Sequence, residues 1–212
     1  MNQPALPAHL QNRQSRHLAE TATQGMGGAL PPHISIRGNQ FRLVDATGNE
    51  QPVLFTAGDG RQYAQPYLDV CIVDLSDVIC KQFYPPDKPW TPDSVDPPLC
   101  WSANGIGPSR EAPAPQSRTC AECPNNVRGS AVSRISGTAI KACRDEKWSA
   151  VVLPGFGKDM VFQLKITPGS FQNWKGYVEK FKGTQVDISD VVTRVEFEQG
   201  QNGVLNFNVS PA

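Results

Sequence analysis

From His33 onward apolar and polar side chains alternate: Ile34 and Ile36, then Phe41 and Leu43, with Ser35, Arg37 and Arg42 between them. A period of two is the mark of a strand with one buried face, and Gly38-Asn39 in the middle is a tight-turn pair. The pattern predicts strand, turn, strand. Gly48-Asn49 and Gly58-Asp59-Gly60 signal further turns, and the runs 68–73 and 78–84 read as strands. Later, 148–153 and 160–166 predict two strands joined through Pro154-Gly155-Phe156-Gly157. Ser170 then stands where a helix cap belongs, and Phe171, Trp174, Tyr177, Val178 and Phe181 recur at helical spacing to about Lys182, where Gly183 ends the run. Segment 191–197 alternates again, and Val204, Leu205, Phe207 and Val209 form a last strand.

The order is strands, an irregular insertion, strands, one helix, and two strands. It predicts a mainly β protein, an OB-fold-like Greek-key barrel with one helix and an inserted loop subdomain. An unrelated α+β sheet fits the same order, whereas a doubly wound parallel sheet needs several alternating helices that the pattern does not supply. Residues 1–32, rich in Gln, Ala, Gly and Pro with a short helical stretch near 10–22, read as a flexible N-terminal arm ahead of an OB-like domain at 33–212. Within that domain, 85–147 forms the insertion. Nine of the nineteen prolines fall in 85–118, a density at which no regular element is expected. Something other than backbone pairing must hold such a stretch.

Composition narrows the classes without choosing one. The 212 residues are 39% apolar and 19% charged, as in an ordinary globular protein. There is no 18-residue apolar run and no basic segment leading into an apolar one at the start, so neither a membrane span nor a secretory signal is expected, and a cytoplasmic location follows. Twenty basic side chains balance twenty acidic ones. Residues 101–182 nevertheless hold twelve basic against six acidic side chains, a local excess of the kind a polyanion footprint would show.

Six cysteines occur. Cys71 and Cys80 sit in strand patterns and are expected in the core. The other four lie in the insertion and its return, spaced Cys100-x19-Cys120-x2-Cys123-x19-Cys143. Two cysteines three apart can present both sulfurs to one ion across a tight turn, and zinc takes four ligands tetrahedrally. One structural zinc ion on Cys100, Cys120, Cys123 and Cys143 is the expectation. Disulfides are disfavoured in a reducing compartment, and a redox-active Cys-x2-Cys is disfavoured without a βαβ setting. Basic and aromatic residues crowd this segment: Trp101, Arg110, Arg118, Arg128, Arg134, Lys141, Arg144, Lys147 and Trp148, to which Lys81, Phe83 and Tyr84 of the preceding strand add. Phosphate neutralisation plus base stacking on aromatic faces is how single-stranded nucleic acid is held, and these residues are the candidate contacts. Trp174, on the apolar helix face, is expected in the core.

Pro32-His33-Ile34-Ser35-Ile36-Arg37-Gly38, Leu68-Asp69-Val70, Cys100 followed by Asn104-Gly105 and Pro108, Cys120-x2-Cys123-Pro-Asn-Asn with Gly129-Ser130, and Lys141-Ala-Cys143-Arg together resemble a family of tailed-phage proteins. The resemblance spans roughly 32–198 and points to phage single-stranded-DNA-binding replication proteins, whose OB-fold carries an inserted zinc subdomain, as in the helix-destabilising protein of T-even phages. It implies single-stranded DNA as partner, a role in replication or recombination, the bacterial host cytoplasm as location, and phage or host replication proteins or further copies of the chain as protein partners. Two features depart from that pattern. The T-even protein uses a histidine with three cysteines where this insertion offers four cysteines, and the chain ends Asn206-Phe-Asn-Val-Ser-Pro-Ala212 without the acidic run that recruits partners.

Little favours an enzyme. All three histidines lie at or before residue 33, and no phosphate loop, nucleophile elbow or His-Glu-x2-His site is present. A metal-dependent nuclease built on acids such as Asp69, Asp74, Asp87, Asp93 or Asp96 is the remoter alternative. A zinc-containing protein–protein adaptor acting on replication or transcription machinery is the nearer one.

Overall fold

In the computed structural model, which describes residues 31–85, 98–133, 137–155 and 160–211, the first alternating run becomes strands β1 (His33–Arg37) and β2 (Gln40–Val44). Both turn residues between them adopt left-handed backbone, Gly38 at φ 56° and Asn39 at φ 55°. Two successive positive φ values define the turn whose twist matches the flanking strands, and Gly and Asn are the residues that tolerate it. Asn39 is also tied to the far end of the chain: its side chain donates to Gln201 O and accepts from Gly203 N.

Three short strands that alternation did not single out come next: β3 (Glu50–Pro52), which extends the sheet beside β2, and β4 (Leu54–Thr56) and β5 (Gln62–Ala64), which pair only with each other. Three residues are too few to display a period. β6 (Tyr67–Leu75) buries every second residue over most of its length, from Leu68 to Val70 and Ile72. It is followed by β7 (Cys80–Phe83) and β8 (Cys100–Ser102). β8 corrects the expectation that 85–118 holds no regular element, since a three-residue strand needs only one neighbour to pair with, and β7 supplies it.

Beyond them lie the small hairpin β9 (Ala131–Val132) and β10 (Ala139–Ile140), the long β11 (Cys143–Val152), and β12 (Val161–Ile166). The single α-helix among the described residues, α1 (Phe171–Glu179), precedes β13 (Thr193–Phe197) and β14 (Leu205–Val209). Ser170 does not cap α1. Its hydroxyl is buried and instead accepts from the Leu205 amide, which ties the helix start to β14.

The strands form one ten-stranded sheet in the order β14-β13-β6-β11-β12-β1-β2-β3, with β7 branching from β11 and β8 from β7. Pairing is antiparallel except between β1 and β12. The protein is mainly β, and the sheet curls into a half-barrel. Its apolar face carries Phe41, Val70, Val151, Phe162, Ile166 and Val195, and α1 closes over part of it with Trp174 and Tyr177. Trp174 is buried as expected and meets Phe207 edge-on at 5.0 Å. The Tyr177 hydroxyl shares a buried hydrogen bond with Thr193 Oγ1 (2.6 Å), so this polar atom that the helix buries is satisfied.

β11 belongs to two neighbourhoods at once. Its later half pairs with β6 and β12, while Cys143–Glu146 pair with β7. The expected boundary of the insertion at residue 147 therefore falls inside one continuous strand.

Candidate metal centre and nucleic-acid interface

Strand register places two of the four candidate cysteines. Phe83 of β7 lies opposite Cys143 on one side and Cys100 on the other. Residues directly opposite one another share a face, so Cys100 and Cys143 flank Phe83 on one side of a three-stranded patch. With a strand between them their Cα atoms stand about 9.5 Å apart, beyond the reach of a disulfide. The other two cysteines arrive on the knuckle Cys120–Cys123, which turns through the short 3₁₀ segment Pro124–Asn126.

One loop holds the knuckle in place. The Cys120 amide donates to Ile106 O (2.7 Å), and the turn that presents Ile106 O passes through Gly105 at φ 69°, where a Cβ would stand 2.5 Å from Ile79 O. Only glycine fits there. Ser102, buried on β8, donates its hydroxyl to Gly107 O and closes the same loop.

All four cysteines are free and buried, and together with Lys81, Phe83, Trp101, Ser102 and Thr119 they line one partly open cavity of about 10 Å³. That is room for a single ion or water and nothing larger. Burial, reinforced by Cys123 and then by Cys120 and Cys100, pushes the Cys143 thiol up to about 11, while Lys81 works against the rise. Cys143 thus lies within electrostatic reach of each of the other three sulfurs. Among the described residues, however, no group of three or more His, Cys, Asp or Glu stands arranged to hold a metal ion as it is. The cavity gathers the sulfurs without drawing them into a finished ligand set.

Of the two strand cysteines, Cys80 is fully buried and its thiol donates to Ala103 O, whereas Cys71 is only half-buried, on the polar side of β6.

The candidate nucleic-acid contacts separate into three groups. The exposed ones are Arg110, Arg118, Arg128 and Arg144. Arg110 and Arg118 line one open concavity of about 530 Å³ with Pro108, Ser109, Pro115, Gln116 and Ser117. Among the described residues, no acidic side chain contributes to that lining. A second group is half-buried: Tyr84, Trp101, Lys147 and Trp148. Tyr84 carries Arg144 over its ring at 5.8 Å, and burial pushes its hydroxyl up to about 12. Trp148 donates its indole N–H to the buried Glu146 (3.0 Å) and has Lys165 over its ring at 5.8 Å. Cross-strand register puts Arg144, Trp148 and Lys165 on one face of the sheet, opposite the apolar core, and Tyr84 joins that face through its contact with Arg144.

The third group is engaged inside the protein. Phe83 is buried between Cys100 and Cys143, so its ring packs the cysteines and presents no face for a base. Lys81 and Lys141 both donate to Asp145 and to Asn126 Oδ1. Arg134 lies outside the described residues.

Sequence reasoning missed Asn126, Asp145, Glu146 and Lys165. Asn126 stood in plain view in Cys123-Pro-Asn-Asn, but only its fold-dependent partners give it meaning. Of the acids considered for a nuclease, Asp69 is paired with Arg194 through two hydrogen bonds, which hold its carboxyl below the usual carboxylate value, and Asp74 accepts from the Leu75 amide. Asp87, Asp93 and Asp96 lie outside the described residues. No helix among the described residues is long and apolar enough to cross a membrane.

No protein-family model, curated protein or solved structure matches the chain.

Proposed function

We propose that this protein is a non-catalytic binder of single-stranded DNA of the phage replication type, in which a structural zinc ion on Cys100, Cys120, Cys123 and Cys143 fixes a basic lobe beside an OB-like half-barrel. The observation that carries the reading is the placement of Arg110 and Arg118 on one open, acid-free concavity next to the cysteine cavity. Exposed guanidinium groups can neutralise phosphates, and the aromatic-bearing sheet face with Tyr84, Arg144 and Trp148 offers stacking surface. For zinc, the donor chemistry fits: four buried thiols on one ion-sized space, two of them in a Cys-x2-Cys knuckle. Bound there, zinc would be a crosslink between β8, the knuckle and β11, with no open position for chemistry.

Titration of tryptophan fluorescence with single- and double-stranded oligonucleotides at two salt concentrations tests the proposal. Quenching, preference for the single strand and a steep fall of affinity with salt are expected. Arg118→Ala should weaken binding to all sequences alike and reduce the salt slope by about 1. Absence of quenching and of salt-dependent affinity would overturn it.

The hairpin β4–β5 favours a second reading, a protein–protein adaptor. Among the described residues it pairs with no other strand, and it exposes Leu54 (40%), Phe55 (40%) and Tyr63 (44%). An adaptor would show neither quenching nor salt dependence in the same titration.

A further inference from the structure

Lys81 lies on β7 and Lys141 just before β11, yet their ammonium groups meet on the same two acceptors. Lys141 donates to Asp145 Oδ2 (2.8 Å) and Asn126 Oδ1 (3.3 Å); Lys81 donates to Asp145 Oδ1 and to Asn126 Oδ1 (3.2 Å). Two like charges brought together repel, and Asp145 offsets only one of them. Lys81 is also poorly placed to reach solvent, with 13% of its side chain exposed, and it lines the cavity the four cysteines share. Asn126 completes the arrangement from the other side, donating its amide N–H to Cys120 O (2.8 Å). A continuous set of hydrogen bonds therefore runs from the ammonium pair to the backbone of the knuckle.

A divalent ion held by four thiolates carries two negative charges in excess. Partly buried charge of that kind is costly unless opposite charge faces it. We propose that Lys81 and Lys141 are the counter-charges of the four-cysteine metal site, positioned by Asp145 and Asn126, and not contacts to phosphate. The inference rests on the reading of the four cysteines as a zinc site, and assigns that site its electrostatic partners.

The test uses the full chain. Zinc content is measured by elemental analysis of reduced protein, and zinc affinity by competition with a chromophoric chelator at fixed pH, for wild type, Lys81→Met, Lys141→Met and Lys81→Arg. Loss of an outer partner of a metal ligand typically lowers affinity 10–100-fold. Lys81→Met should fall in that range, Lys141→Met by less because its side chain is more exposed (35%), and Lys81→Arg should stay close to wild type. The salt slope of oligonucleotide binding should not change in any of them. Should Lys81→Met prove too unstable to purify, Lys141→Met carries the comparison. Zinc affinity unchanged in both Met variants, with a salt slope reduced by about 1, would overturn this inference alone and return both lysines to phosphate binding. A wild-type chain that binds no zinc would overturn the four-cysteine reading and this inference with it.

Discussion

Around α1 the sheet gathers fifteen buried apolar side chains into one cluster, while the cysteine lobe gathers three, Phe83, Cys100 and Cys143. At about 1.5–3 kcal/mol for each large apolar side chain removed from water, burial is ample to hold the sheet and meagre for the lobe. Other devices take over there. The knuckle is held by a loop that only glycine can form, by side chains bonded to backbone carbonyls, and by the pairing of Lys81 and Lys141 with Asp145. Yet the two regions share β11, whose one half is core strand and whose other half carries Cys143. The lobe is therefore built onto the sheet and not tethered beside it.

The contrast can be broken most forcefully in the sheet. Phe162→Ala, at a site 2% exposed, should cost about 3–5 kcal/mol, read as a lower urea midpoint with unchanged slope. In the lobe, Gly105→Ala puts a Cβ against a backbone carbonyl that cannot swing away, at a positive φ, and should cost roughly 1–3 kcal/mol. Hydrogen exchange would locate that loss: faster exchange at the Cys120 amide with β12–β14 unaffected is expected, and uniform acceleration would show that the regions unfold as one.

The smallest effect lies on the polar side of the sheet, where Arg194 holds Asp69 across β13 and β6 and rests over Tyr67 at 3.8 Å. Hydrogen bonds from Arg194 lower the Asp69 carboxyl against the opposing effect of burial. Its folded value thus lies below its unfolded value of about 4, so the contribution is present above that pH and disappears as pH falls through the folded value. Asp69→Asn should cost about 1 kcal/mol at neutral pH, and thermal melts should show the difference from wild type shrinking below about pH 4.

Much of the sheet was legible because its strands bury one face, and burial of one face leaves a period of two that needs no knowledge of the partner strand. β6, β12 and β13 carry such a record, and α1 carries the helical counterpart, an apolar stripe with a period near 3.6. β4, β5 and β8 do not, being three residues long, and Ser170 misled because a hydroxyl at a helix start can serve a neighbouring strand as readily as the helix. The cysteine spacing was equally plain and proposed four sulfurs for one site.

What the chain could not declare is which residues stand opposite which. That Phe83 separates Cys100 from Cys143, or that Lys81 and Lys141 meet on Asp145, comes from strand register across distant segments. By itself the sequence determined the longer strands with one buried face, the helix face, the Gly38-Asn39 turn and the set of thiols, all properties of neighbours along the chain. The tertiary structure alone decided that β11 serves both core and lobe, and which cations are engaged by Asp145 and Asn126 and which face solvent, because pairing between remote strands is selected by the packing of the whole sheet and not by any local pattern.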